Sequence, residues 1–125
     1  LRAAQPGQAQ PSWPLSAHSE AMLRAWAQDA TQRWVADART TLAEWQQWLL
    51  DALHARGFVS LRSQAAHCVV QPPCAMDLDW LRTQEVAVRD ATSFGLAGHW
   101  RVSAQPPMAI AALLQAWDRW QEEHR

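Results

Sequence analysis

The sequence predicts an α+β domain of two layers: a small, mainly antiparallel sheet, covered on one face by helices and preceded by a long, bent helix. Three observations carry this reading. Two long stretches, one near each end of the 125-residue chain, repeat apolar residues at helical spacing. Between them lie short runs bounded by glycine, proline or turn residues, some alternating in character as half-buried strands do. The resulting order is helix, bent helix, strand, strand, helix, strand, strand, helix, which suits one sheet with helices packed against it.

Residues 1–14 are rich in Gln, Ala and Pro and show no apolar period, so they read as a linker or irregular segment; Pro11 and Pro14 keep the backbone extended around Trp13. Residues 15–125 form the domain. Ser16 is a suitable N-cap with Leu15 ahead of it as a staple, and a helix follows to about Gln28. Asp29 with Gln32 three residues on is a second cap signal, which predicts a break and then a long helix to about Arg56, closed by Gly57. Its stripe is Trp34, Ala38, Leu42, Trp45, Leu49 and Leu53, in steps of three and four. Trp26 and Trp48 lie off or beside that stripe, placed to meet another domain or subunit.

Residues 58–62 alternate as a strand, and residues 66–71 form a second, stopped by Pro72 and Pro73. His67 is the single histidine on these strands, and a lone strand histidine is more often a packed or surface residue than a catalyst. Asp77 caps a short helix over 77–82, with acidic residues at the positive end of its dipole. Pro106 and Pro107 open the last helix, whose stripe is Ile110, Leu113, Leu114, Trp117 and Trp120. Residues 122–125 are polar and should fray.

Composition narrows the function. The length suits one domain with a real core. A net charge of −1 gives no electrostatic case for nucleic acid or an anionic membrane. No apolar run approaches the ~20 residues that cross a bilayer. The start, Leu1 to Pro6, has no apolar signal-peptide core and no methionine, as a piece of a longer protein would read. Cys68 and Cys74 fit a reduced, cytoplasmic setting and make a weak metal site without a matching histidine pattern. All eleven basic residues other than histidine are arginine; there are nine tryptophans and no tyrosine. No Gly-x-Gly-x-x-Gly, phosphate loop, or convincing acid–base or nucleophilic constellation is present, so no catalytic residue is expected in this chain itself.

The chemistry gathers in residues 86–104. This stretch reads as a short apolar strand ending in Arg89, an excursion punctuated by Gly95 and Gly98, and a second strand containing Arg101. Arg101 sits between Trp100 and Val102, so its side chain should leave the opposite face of the sheet. Two guanidinium groups brought together by one loop can bind carboxylate or phosphate, each through two parallel hydrogen bonds. The alternative is that both are solvated surface arginines.

The run from Val88 to Ser103, Val-Arg-Asp-x-Thr-Ser-Phe-Gly-Leu-x-Gly-x-x-Arg-Val-Ser, resembles the C-terminal, small domain of fold-type-I pyridoxal-phosphate (PLP) enzymes. It is most similar to the L-threonine-O-3-phosphate decarboxylases of cobalamin biosynthesis, with histidinol-phosphate aminotransferases as relatives. The resemblance extends from Gln10-Pro11-Ser12-Trp13 to the last helix. It implies that Arg101 holds the substrate carboxylate, that Arg89 lies in the same anion-binding corner, and that Ala66 or His67 lines the substrate pocket. It also implies a homodimeric, PLP-dependent parent acting on a small amino-acid phosphate. Such an enzyme needs a lysine amine for its Schiff base, and this chain has none. The lysine and cofactor cradle are therefore expected upstream, in a large domain absent here, and no PLP is expected to bind this chain alone. Two further readings stay open. One is an aminotransferase of the histidinol-phosphate or another type; the other is a stand-alone, tryptophan-rich protein-interaction domain.

Overall fold

The computed structural model describes residues 15–61 and 63–124. The expected linker at 1–14, Arg62 at the end of the first strand and the terminal Arg125 lie outside the described residues. The described residues divide into two compact units on either side of the boundary between Ala38 and Arg39.

In the first unit, α1 (Ala17–Trp26) begins as expected: the Ser16 hydroxyl accepts a hydrogen bond from the Ser19 backbone N–H. No residue of α1 is buried. The helix stops two residues earlier than the pattern suggests, and α2 (Asp29–His54) starts at Asp29 itself. The break is braced differently from a capping box. The Gln32 side chain donates to the Trp26 carbonyl at 2.6 Å, so it satisfies the C-terminal end of α1 and not an N–H at the start of α2. Trp34, the first residue of the α2 stripe, is 69% exposed.

The second unit holds the core. The buried part of the α2 stripe begins with the partly buried Trp45 and continues to Leu49 and Leu53. Past His54 the chain turns at Gly57, whose φ of +84° is the left-handed conformation that a helix terminus asks of glycine. Then follow β1 (Val59–Ser60), β2 (His67–Gln71), α3 (Leu78–Thr83), β3 (Arg89–Asp90), β4 (Trp100–Ser103) and α4 (Pro107–Glu123). The sheet order is β1-β2-β4-β3, and every neighbouring pair is antiparallel. Asp77 caps α3 by accepting from the Asp79 N–H at 2.8 Å. No helix among the described residues is long and apolar enough to cross a membrane.

Alternation divides the sheet into two faces. Cys68 and Val70 of β2 and Trp100 and Val102 of β4 are buried, in one cluster with Leu49, Leu53, Leu81 and the α4 residues Ile110, Leu113, Leu114 and Trp117. At its centre three aromatic rings meet edge to face: Phe58 with Trp117 at 4.6 Å, Phe58 with Trp100 at 5.6 Å, and Trp100 with Trp117 at 5.9 Å between centroids. The other face carries His67, Val69 and Gln71 of β2 and Arg101 and Ser103 of β4. Both cysteines are free; Cys68 is buried, which pushes its thiol pKa up, and Cys74 is exposed.

One ion pair ties the turn after α2 to α4. Arg56 donates from Nε and Nη2 to the two oxygens of Asp118, both at 2.8 Å. The bidentate bond holds the Asp118 carboxyl below its ordinary value near 3.8, by hydrogen bonding first and charge second. Asp118 remains 47% exposed, so solvent screens much of the attraction.

Two outcomes are expected. Trp117→Ala removes two of the three ring contacts and leaves a cavity, and should lower stability by about 3–5 kcal/mol in denaturant unfolding. Asp118→Asn should cost about 0.5–1 kcal/mol at neutral pH. Because the native carboxyl has the lower pKa, its contribution is present above pH ~4 and is lost as pH falls through the folded-state value. The stability difference between wild type and Asp118→Asn should therefore shrink in melts below pH ~4.

Candidate functional site

The site is built by β3, β4 and the loop between them. Arg89 and Arg101 are direct partners in the antiparallel register, and Asp90 is opposite Trp100. Residues opposite each other share a face with Cβ atoms ~5 Å apart, so the two guanidinium groups leave the sheet side by side. Both arginines are exposed. Since Trp100 and Val102 are buried on either side, period two leaves Arg101 the outer face, as the sequence predicts. Among the described residues neither arginine forms an ion pair.

The strand containing Arg89 is shorter than its apolar character suggests. Arg89 opens β3 instead of closing it, because residues 86–88 do not pair with β4. Glu85 stands at a φ of +61°, an uncommon conformation for a residue with a Cβ, and turns the chain there. A cavity of about 420 Å³ lies between residues 85–89, residues 101–103 and Gln105, with Leu49 and residues of the first turns of α4 as its other walls. Arg89 and Arg101 both border it.

The connecting loop is closely hydrogen-bonded. Asp90 Oδ1 accepts from the Thr92 backbone N–H at 2.8 Å and from the Thr92 hydroxyl at 2.7 Å. These two bonds hold the Asp90 carboxyl below its ordinary value, with Arg89's charge acting in the same direction. They set up a 3-10 turn over Thr92–Phe94, closed by Gly95 at a φ of +78°. The Ala91 N–H donates to the His99 carbonyl at 2.9 Å and pins the base of the loop. At the end of the turn, Phe94 is 57% exposed. The Cζ atoms of Arg89 and Arg101 each lie over its ring, 5.8 Å from the centroid. Contacts of this kind contribute about 0.5–1 kcal/mol each at exposed sites.

The sequence singles out both arginines, and the structure brings them together. His67 is exposed at the start of β2, opposite Ser103, on the face that carries Arg101. Ala66 precedes the strand and accepts from the Ala104 N–H at 2.8 Å through its carbonyl. Phe94 and Asp90 escape the sequence reading as site residues. Asp90-Ala91-Thr92 carries a usable signal, an Asp two residues before a Thr, which is the spacing of an Asx turn. Phe94 enters the sequence reading only as a member of the run 88–103, and its contact with the two arginines depends on where the turn places its ring.

Residues 3–119 match the family model "Aminotransferase class I and II". The chain belongs to that family. Among solved structures it is similar to a protein of Burkholderia pseudomallei K96243 assigned to the aminotransferases, with 26% identity and a TM-score of 0.72 over 91% of this chain and 35% of that one. It is also similar to a tetra mutant of Thermus thermophilus aspartate aminotransferase, with 29% identity and a TM-score of 0.69 over 79% of this chain and 30% of that one. No curated protein matches. The chain thus spans about a third of the length of these structures. The small antiparallel sheet with its helices is the α+β architecture of these aminotransferase neighbours.

Members of the family generally use PLP. The residues of this aminotransferase domain do not fit the anchoring of that cofactor, because none of the 125 is a lysine and no side-chain amine can form the Schiff base. What the domain does offer is a pair of adjacent, exposed cations.

Proposed function

We propose that this chain is the substrate-carboxylate-binding domain of a PLP-dependent enzyme whose cofactor is anchored elsewhere in the parent protein. The observation that carries the reading is the register of Arg89 against Arg101 on the outer face of the sheet. The finer reading is a threonine-phosphate decarboxylase of cobalamin biosynthesis, supported by the resemblance of residues 88–103. The substrate, L-threonine O-3-phosphate, has two anionic ends, and two adjacent guanidinium groups suit them. Arg101 binds the carboxylate through its fork and fixes the bond from Cα to the carboxylate in the reacting direction. Arg89 takes the other anionic end or shares the carboxylate. The products are CO₂ and aminopropanol phosphate.

The second reading is an aminotransferase, and the family description and the Thermus enzyme favour it. Here Arg101 binds the carboxylate of the amino-acid or keto-acid partner; histidinol phosphate itself carries a phosphate ester in that position, a second anion that a guanidinium can hold. A stand-alone tryptophan-rich interaction domain draws on the exposed Trp26, Trp34 and Trp48. Trp100 and Trp117 are consumed by the core, and Trp45, Trp80 and Trp120 are partly buried.

The test uses the full-length enzyme. Arg101→Ala should lower kcat/KM by at least ~2 kcal/mol of transition-state stabilisation, the scale of a lost charge-assisted bond. A kcat/KM near wild type removes the assignment of Arg101. Product analysis separates the two chemistries: release of CO₂ without a keto-acid acceptor supports the decarboxylase, and dependence on a keto acid supports the aminotransferase.

A further inference from the structure

Arg89 and Arg101 pose an electrostatic problem. Like charges directly opposite on one sheet face repel, and long arginine side chains are free to swing apart. Among the described residues no carboxylate lies within ion-pair distance of either one. Asp90, the nearest acid in sequence, spends one oxygen on Thr92. The group that both guanidiniums share is the ring of Phe94, at 5.8 Å from each.

We infer that Phe94 is a positioning residue: its ring, presented by the Thr92–Phe94 turn, holds Arg89 and Arg101 together so that they converge on one anionic substrate. The inference rests on the carboxylate-binding reading above and adds a residue to it. Three features support the role. Phe94 is more than half exposed, so burial in the core does not account for an aromatic residue there. Its backbone is fixed from both sides, by the Asp90–Thr92 bonds before it and by left-handed Gly95 after it, so the turn fixes the point from which the ring is presented. The electron-rich ring attracts each cation without neutralising it, which leaves the N–H forks available to a ligand, as a carboxylate partner would not. The arginines are thus gathered before substrate arrives, and binding orders fewer side chains.

The experiment compares Phe94→Leu, Phe94→Tyr, Arg101→Ala and the double variant Phe94→Leu/Arg101→Ala in the full-length enzyme, with L-threonine O-3-phosphate as substrate. Leucine keeps an apolar side chain and loses the ring; tyrosine keeps the ring. Phe94→Leu should raise KM about five- to ten-fold, as two weak cation–ring contacts would, with kcat within about two-fold and Tm unchanged. Phe94→Tyr should restore KM. Adding Phe94→Leu to Arg101→Ala should raise KM much less than it does alone, because one of the side chains it positions is gone. A readout independent of turnover is the guanidinium Nε–Hε NMR resonances of Arg89 and Arg101, which should lose a ring-current shift in Phe94→Leu and keep it in Phe94→Tyr. Unmoved resonances, an unchanged KM in Phe94→Leu, or a tyrosine variant as impaired as the leucine one overturns the role. If Arg101→Ala is itself indistinguishable from wild type, the carboxylate reading fails on its own account. The resonances then decide the ring contact by themselves.

Discussion

The placement of Arg101 depends on the burial of the residue next to it. Trp100 packs edge to face against Phe58 and Trp117, and Val102 is buried two positions on. An indole of that size cannot be turned to the outer face without opening the core, so β4 has one register available. The pairing then transmits this choice: Arg89, opposite Arg101, must use the same face. The apolar side of the sheet thereby decides where the charged side presents its two cations.

The charged side carries the opposite requirement. Stability would be served by separating the arginines or by giving each a carboxylate. The domain instead leaves both exposed, and it uses the Asp90 carboxylate to shape the loop. Contrast Arg56, just past α2, which donates to both oxygens of Asp118 and to the Ala52 carbonyl. One arginine is spent on architecture; the pair on β3 and β4 is kept available. In an aminotransferase-family domain without lysine, anion recognition is the chemistry that this availability allows.

Much of this was legible in the sequence. Helical stripes ending in Leu49 and Leu53, or running from Ile110 to Trp117, follow directly from period 3.6, and Ser16, Asp77 and Gly57 mark their boundaries by well-understood capping chemistry. The outward direction of Arg101 follows from period two. Three features were not legible. Val86 and Val88 look like strand residues, yet the chain leaves β4 before Arg89, because Glu85 turns it in a way that no local propensity announces. Gln32 looks like half of a capping box, and it bonds the Trp26 carbonyl instead. Phe94 stands in the sequence as one position of the resembling run, with nothing local to say what its ring touches. Its contact with two arginines exists only once the turn, the register and the sheet face are all fixed, so it is a property of tertiary structure.

The most direct measurement is a crystal structure of the full-length enzyme with L-threonine O-3-phosphate or a non-reacting carboxylate analogue bound. The account predicts the carboxylate within ~3 Å of the Arg101 guanidinium, on the face opposite Trp100, with Arg89 contacting the same ligand. A ligand held elsewhere in the enzyme, with Arg89 and Arg101 both pointing into solvent, would contradict it.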